Sequence, residues 1–171
     1  MAIDLTLKSV AISNREARPR VVNNPGGGAA GVTRQVFGHI ASVTASLSAT
    51  SVIRLVEVPS NCYVTSVRVS SGAQAAGKFD IGVYRNNDDG GAAVDQDFFT
   101  TDLDCASAVI DQECVMKATS VNTIAKRSQP LWQALGLSSD PRCTLDICAT
   151  VHTTDVTTGT GALGALVTYV L

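Results

Sequence analysis

The most constraining feature of this sequence is a set of three β-rich segments in its middle, separated by compact turns. The segments are 52–58, 62–70 and 78–85, and all are rich in Val, Ile, Tyr or Phe, which favour extended structure. Pro-Ser-Asn at 59–61 and Ser-Gly at 71–72 stand between them, and tight turns use these residue types. The succession predicts an antiparallel sheet and favours a structural or binding protein over an enzyme.

Further strands are predicted from alternation between apolar and polar residues. Segment 35–43 alternates in this way, and segment 143–152 places Leu145 and Ile147 on an inward face, with Cys148 and Thr150 on the outward one. Segment 163–171 repeats the pattern after a Gly-rich turn. Residues 92–118 show no clear period, and we expect Phe98, Phe99 and Leu103 to fill the core there.

One short helix is predicted at 130–135, where Pro130 stands at the first helical position. With seven to nine strands and this helix, the chain is expected to be all-β. Its fold class is an antiparallel β-sandwich, of the jelly-roll or Ig-like kind.

The N-terminal segment differs from the rest. Residues 3–8 alternate like a short strand, but residues 13–33 contain two prolines, a Gly triplet and almost no aliphatic periodicity. We therefore expect two parts: an extended N-terminal arm at 1–35 and a β-sandwich domain at 36–171.

Charge is low and uneven. Charged residues make up 16% of the chain, against about 25% in average proteins, which favours a surface covered by neighbouring subunits. Residues 1–35 have a net charge of +3, whereas residues 80–113 have nine carboxylates and only Arg85 as a base. A basic arm and an acidic body predict contact with other copies or with an acidic neighbour. Without interleaved aromatic side chains, the arm makes a weak case for nucleic acid.

The five cysteines show no Cys-x-x-Cys spacing, so we interpret them as buried thiols and expect neither zinc nor another cofactor. Cys143 and Cys148 are five residues apart on a predicted strand and should face opposite sides. No signal peptide and no membrane span are expected, because the N-terminal residues lack a long apolar core and no apolar run approaches 18 residues.

Four features could indicate chemistry, and each has a simpler explanation. The Gly-rich stretch 26–31 lacks the flanking strand and helix of a dinucleotide loop, and Val32 stands where a phosphate-binding lysine belongs. The Asn86–Gly91 loop is explained as a turn, with a weakly bound cation or a glycan left open.

His39 and His152 have no nucleophile motif near them that would indicate a catalytic base. Trp132 could be a sugar-stacking platform or, as we prefer, a core or interface anchor.

A resemblance narrows the function. Val-Pro-Ser-Asn at 58–61, Asp-Ile-Gly-Val-Tyr at 80–84 and Asp-Gly-Gly at 89–91, followed by Val94 to Phe99, resemble the small β-sandwich virion proteins of tailed bacteriophages. The resemblance implies a jelly-roll-like body without catalytic residues. It also implies a capsid cement (decoration) protein or a neck or tail component, and the basic arm favours cement.

The predicted function is therefore a non-enzymatic virion protein on the outer capsid surface, assembled in the host cytoplasm. Its expected partners are the major capsid protein and other copies of itself, as a dimer or trimer, but no nucleic acid and no membrane. The alternatives are a neck or tail component and a carbohydrate-binding module. The candidate partner-binding residues are Ile3, Leu5, Leu7, Arg15, Arg18, Arg20, Phe98, Phe99 and Trp132.

Overall fold

A computed structural model describes residues 19, 31–43, 47–75, 77–115, 123–152, 156, 158–159 and 161–171. The strands of these residues are β1 (Thr33–Ile40), β2 (Val52–Pro59), β3 (Tyr63–Ser71), β4 (Gln74–Ala75), β5 (Lys78–Arg85), β6 (Ala93–Asp104), β7 (Val109–Glu113), β8 (Thr144–Val151), β9 (Thr158–Gly159) and β10 (Leu163–Val170). The helix α1 spans Leu131–Ala134, and 3-10 turns span Asn87–Asp89 and Ile124–Ser128.

The eight long strands form two four-stranded sheets. The first sheet has the order β1-β10-β3-β7 and the second has the order β2-β8-β5-β6, while the short strands β4 and β9 pair with each other. Every pairing is antiparallel. The predicted antiparallel β-sandwich is confirmed.

The strand order distinguishes the two predicted kinds of sandwich. Apart from the β5–β6 hairpin, each successive long strand lies in the opposite sheet from the one before it. This is the eight-stranded jelly-roll arrangement. In an Ig-like sandwich the first two strands share a sheet, whereas β1 and β2 here lie in different sheets.

The core fills the space between the two sheets. Its largest fully buried side chains are Phe79, Phe98, Phe99, Ile81, Leu103, Leu145, Ile147 and Leu163. Each side chain of this size stabilises the fold by about 1.5–3 kcal/mol when buried. The predicted inward face of β8 is confirmed, because Leu145 and Ile147 are among these residues, and Phe79 and Ile81 show the same alternation on β5.

The outward face of β8 differs from the prediction. Cys148 and Thr150 are buried, although the alternation placed them on a solvent-facing side. β8 is an internal strand between β2 and β5, and Tyr84 of β5 covers it from outside, with its hydroxyl 2.7 Å from that of Thr150. Alternation identifies the two faces of a strand, but it does not tell whether neighbouring side chains cover the second face.

A β-bulge corrects the predicted faces of β3. Regular alternation over 62–70 predicts that Tyr63 shares a buried face with Val67 and Val69, but Tyr63 is only half-buried and Val64 takes the core position. Thr168 of β10 lies opposite Ser66 and the next residue, Tyr169, lies opposite Val64, which leaves Thr65 without an opposite residue in the register of the two strands. The extra residue reverses the alternation on one side of the bulge.

The strand β6 contains a wider irregularity. Ile81 of β5 lies opposite Thr100, but Val83 lies opposite Asp95, so residues 96–99 loop out of the ladder. As a result Phe98 and Phe99 are both buried, although neighbours in a regular strand point to opposite faces. Their rings pack edge to face, with centroids 5.0 Å apart.

The first sheet begins inside the segment assigned to the arm. β1 starts at Thr33 and pairs with β10 without interruption to Ile40, whereas the sequence pattern indicated a start at Gln35. Residues 33–35 therefore belong to the sandwich. The predicted strand at 3–8 lies outside the described residues.

The predicted helix is confirmed, but Pro130 is its N-cap and not its first residue. The turn at 59–61 and the residue after it hold the helix, because Trp132 N donates to Ser60 O at 3.0 Å and Leu131 N donates to Cys62 O at 2.8 Å.

None of the five cysteines forms a disulfide. Burial raises the pKa of the Cys62 and Cys148 thiols to about 12, which fits thiols that act as small apolar side chains.

Candidate functional site

Most of the predicted partner-binding residues belong to the arm. Ile3, Leu5, Leu7, Arg15, Arg18 and Arg20 all lie outside the described residues. The structure therefore neither brings these residues together nor separates them, and their role stays a prediction.

The Phe98–Phe99 pair is not on the surface. The two side chains are 1% and 0% exposed, and Lys126 Nζ lies 5.5 Å from the centroid of the Phe98 ring. The proposed role of these residues as anchors for another subunit does not fit this burial. They fill the core, as the alternative interpretation of residues 92–118 expected.

Trp132 is half-buried on α1. Its backbone joins the helix to the turn at 59–61, and its carbonyl accepts a hydrogen bond from Leu137 N at 3.1 Å. Of the candidate residues that the structure describes, Trp132 alone keeps part of its ring accessible to a partner.

A shallow cleft of about 510 Å³ lies beside this helix, lined by residues of the segments 59–61 and 140–144. The buried Ser60 hydroxyl donates to the Asp140 carboxylate. This bond and the Arg142 amide hold the pKa of Asp140 below its ordinary value, despite an opposing effect of desolvation. Arg142 itself adopts a φ of 53°. These hydrogen bonds hold the segment 140–144 in place. No pattern in the sequence predicts the cleft.

The Asn86–Gly91 loop is a turn, as predicted. The Asn86 side chain accepts a hydrogen bond from Asp89 N at 2.8 Å, and Gly90 and Gly91 have φ values of 82° and 66°. Arg54 Nη2 donates to Gly91 O at 2.9 Å, and Arg85 forms an ion pair with Asp89. In the described part of the chain, no group of three or more His, Cys, Asp or Glu residues is arranged to hold a metal ion.

Asp80 and His152 form a polar cluster on the outer face of the second sheet. Asp80 is 2% exposed, and its oxygens lie 2.8 and 2.9 Å from His152 Nδ1. The carboxylate also accepts hydrogen bonds from Thr101, Asp102 N and Gln96. Burial alone raises the pKa of Asp80, but the hydrogen bonds and the nearby His152 more than offset this, so the pKa lies below its ordinary value of 3.8. The cluster joins β5, β6 and the end of β8.

The carboxylates are concentrated on one side of the sandwich. Asp95, Asp97, Asp102 and Asp104 lie on β6 and Asp111 and Glu113 on β7, the edge strands of the two sheets. Burial, together with the hydrogen bond and charge of Asp97, raises the pKa of Asp95. The acidic region is evident from the sequence, but its place on the two edges depends on the strand order.

Large apolar side chains are exposed at several points, mainly near the edges of the first sheet. Val32, Phe37 and Leu171 are 66%, 61% and 43% exposed near β1, and Ile110 is 86% exposed on β7. Phe37 stacks on His39, with ring centroids 5.4 Å apart.

In the described residues, no helix is long and apolar enough to cross a membrane.

Solved structures share this fold. A chain of the Ralstonia phage GP4 capsid aligns with a TM-score of 0.56 at 12% identity, covering 89% of this chain and 91% of that one. A chain of the cyanophage Pam1 capsid asymmetric unit aligns with a TM-score of 0.50 at 12% identity, covering 91% and 96%. The fold is one that phage capsids contain. No protein-family model and no curated protein matches the sequence.

Proposed function

We propose that this chain is a non-enzymatic structural protein of a bacteriophage virion, and that it decorates the outside of the head. The observation that carries the proposal is the shared jelly roll, because the alignment with a chain of the GP4 capsid covers about nine-tenths of both chains. A likeness over about nine-tenths of both chains favours a role for the jelly roll as a whole over a role for one small part of it.

The surface supports a role in assembly. Charge is scarce for a chain of this size, and large apolar side chains are exposed at the edges of the first sheet. The buried polar groups of the Asp80 cluster form hydrogen bonds with one another, and these bonds favour a rigid body. Contacts to the head would then come from the surface and the arm.

The arm supplies the attachment in this proposal. Ile3, Leu5 and Leu7 pair with an exposed strand edge of a major capsid subunit, a mode that combines directional backbone hydrogen bonds with side-chain contacts. Arg15, Arg18 and Arg20 contact carboxylates of the same neighbour. Each copy then links adjacent subunits, and symmetry repeats the link over the head.

The experiment compares two arginine variants of equal charge change. Heads are prepared from phage that lack this gene, incubated with the purified chain, and separated from unbound protein by sedimentation. We expect Arg15, Arg18 and Arg20→Ala together to weaken binding by at least about tenfold. The control changes Arg68, Arg85 and Arg142→Ala on the body and should bind like the unchanged chain.

Two results would contradict the proposal. One is an unchanged chain that does not sediment with heads. The other is a chain that binds only isolated tails or necks, which would move the protein to that part of the virion. Equal losses in the two arginine variants would show that the arm has no special role.

A further inference from the structure

The strand β1 is the one regular edge among the four long edge strands. The two sheet orders place β1, β7, β2 and β6 at the edges. The register of β2 shifts at Leu55, residues 96–99 loop out of β6, and β7 shifts against β3 near Asp111. β1 pairs with β10 residue by residue over its whole length. Bulges of this kind in edge strands prevent pairing with strands of other chains. β1 has no bulge.

The open side of β1 presents four residues. Leu171 N donates to Val32 O, so these two form a hydrogen-bonded pair. In an antiparallel ladder such pairs alternate with non-hydrogen-bonded pairs, whose N–H and C=O groups point away from the partner strand. It follows that the N–H and C=O groups of Thr33, Gln35, Phe37 and His39 point away from β10.

The side chains of the same four residues favour a neutral partner edge. They include no carboxylate, lysine or arginine, and Phe37 is 61% exposed in the middle of the strand. Gly38 faces inward, where a Cβ would overlap with the Leu55 carbonyl of β2. The inner face of β1 is thus packed on β2, while no strand among the described residues pairs with its other edge.

Between two copies of this chain, the charge distribution favours contact through β1 over contact through two acidic edges. The carboxylates of β6 and β7 lie on the side of the sandwich opposite to β1, so two copies that meet through β1 keep their acidic edges apart. Approach through β6 or β7 would bring like charges together, which is unfavourable.

We propose that β1 is a self-association edge, along which two copies of this chain pair their β1 strands antiparallel about a twofold axis. If the axis passes Val36, Gln35 of one copy lies opposite Phe37 of the other, and Thr33 lies opposite His39. Every outward N–H and C=O of these four residues then finds a partner, and the two first sheets become one eight-stranded sheet. Such an interface is isologous. The proposal concerns the isolated chain and does not depend on the virion role.

The test uses two matched substitutions of exposed apolar residues on opposite edges of the first sheet. Phe37→Lys places a charge on the proposed interface, whereas Ile110→Lys places it on β7. Light scattering after size exclusion, over a series of concentrations, should give twice the chain mass of 17.7 kDa for the unchanged full-length chain and for Ile110→Lys. Phe37→Lys should raise the dissociation constant of the dimer by at least about tenfold.

Amide hydrogen exchange provides a second measurement on the unchanged chain, in case Phe37→Lys fails to fold. The amides of Gln35, Phe37 and His39 should exchange slowly at concentrations that favour the dimer and faster on dilution, because no described strand pairs with this side of β1 and a second copy would protect them. Leu5→Pro in the full-length chain should leave both the dimer and this protection unchanged.

Four outcomes would overturn the proposal. Three of them are an unchanged chain that is monomeric at every concentration, equal effects of Phe37→Lys and Ile110→Lys, and rapid exchange of the three amides in the dimer. A loss of dimer and protection in Leu5→Pro would assign the β1 edge to the N-terminal segment, and it too would overturn the proposal.

Discussion

Asp80 is the side chain at which β5, β6 and the end of β8 meet. Its replacement by Asn should destabilise the fold by about 3 kcal/mol, because His152 Nδ1 and the Asp102 amide lose a buried charged acceptor. Urea unfolding measures the change. Asp95→Asn is the control, since it relieves the repulsion with Asp97 and should leave stability unchanged or slightly increased.

The same two residues predict opposite pH effects. The pKa of Asp80 is lower in the folded chain than its ordinary value of 3.8, so its contribution to stability is present above that value and is lost as pH falls through the lowered one. The pKa of Asp95 is raised, so its charge lowers stability at neutral pH and acid relieves that effect. The deficit of Asp80→Asn should therefore shrink below about pH 4. A deficit that stays constant down to pH 2 would contradict the assigned role of Asp80.

At the scale of elements, the close approach of β6 to β5 depends on Gly82. A Cβ at this position would overlap with the backbone of Gln96 and Asp95, in the part of β6 that loops out of the ladder. We expect Gly82→Ala to destabilise the fold by about 3 kcal/mol, since backbone atoms cannot move aside as easily as side chains. Thermal unfolding measures the change.

Gly90→Ala is the control for Gly82→Ala. Gly90 has a φ of 82° and nothing within 4 Å of an added Cβ, so the substitution carries only the conformational cost of a left-handed residue, about 1 kcal/mol. Equal losses for the two variants would show that crowding at Gly82 is not what matters.

The elements also show what the sequence could predict. Alternation identified β5 and β8 because both are regular where they face the core, and turn residues identified their ends. The bulges at Thr65 and 96–99 could not be predicted, because an extra residue is set by the pairing partner and not by the strand's own pattern. The place of Phe37 on an open edge depends on sheet order, which local patterns do not contain.

At the scale of the whole molecule, the arm and the body should be separable. Removal of residues 1–30 keeps β1 intact, because this strand begins at Thr33, and every described strand is retained. We expect the unfolding temperature to shift by only a few degrees, about 1 kcal/mol, while binding to heads falls far more. Calorimetry and sedimentation with heads measure the two quantities.

A longer truncation provides the matching comparison. Removal of residues 1–35 also deletes the first three residues of β1, so it should lower stability more than removal of residues 1–30. If the shorter truncation unfolds, or if it binds heads as well as the full chain, the arm does not act as a separate attachment segment.

Decoration of the outside of a phage head by this jelly roll can be tested by cryo-electron microscopy of purified particles. We expect density for the two-sheet body on the outer surface of the head, in contact with major capsid subunits and missing from particles that lack the gene. Density at the neck or tail alone, or no difference between the two kinds of particle, would contradict it.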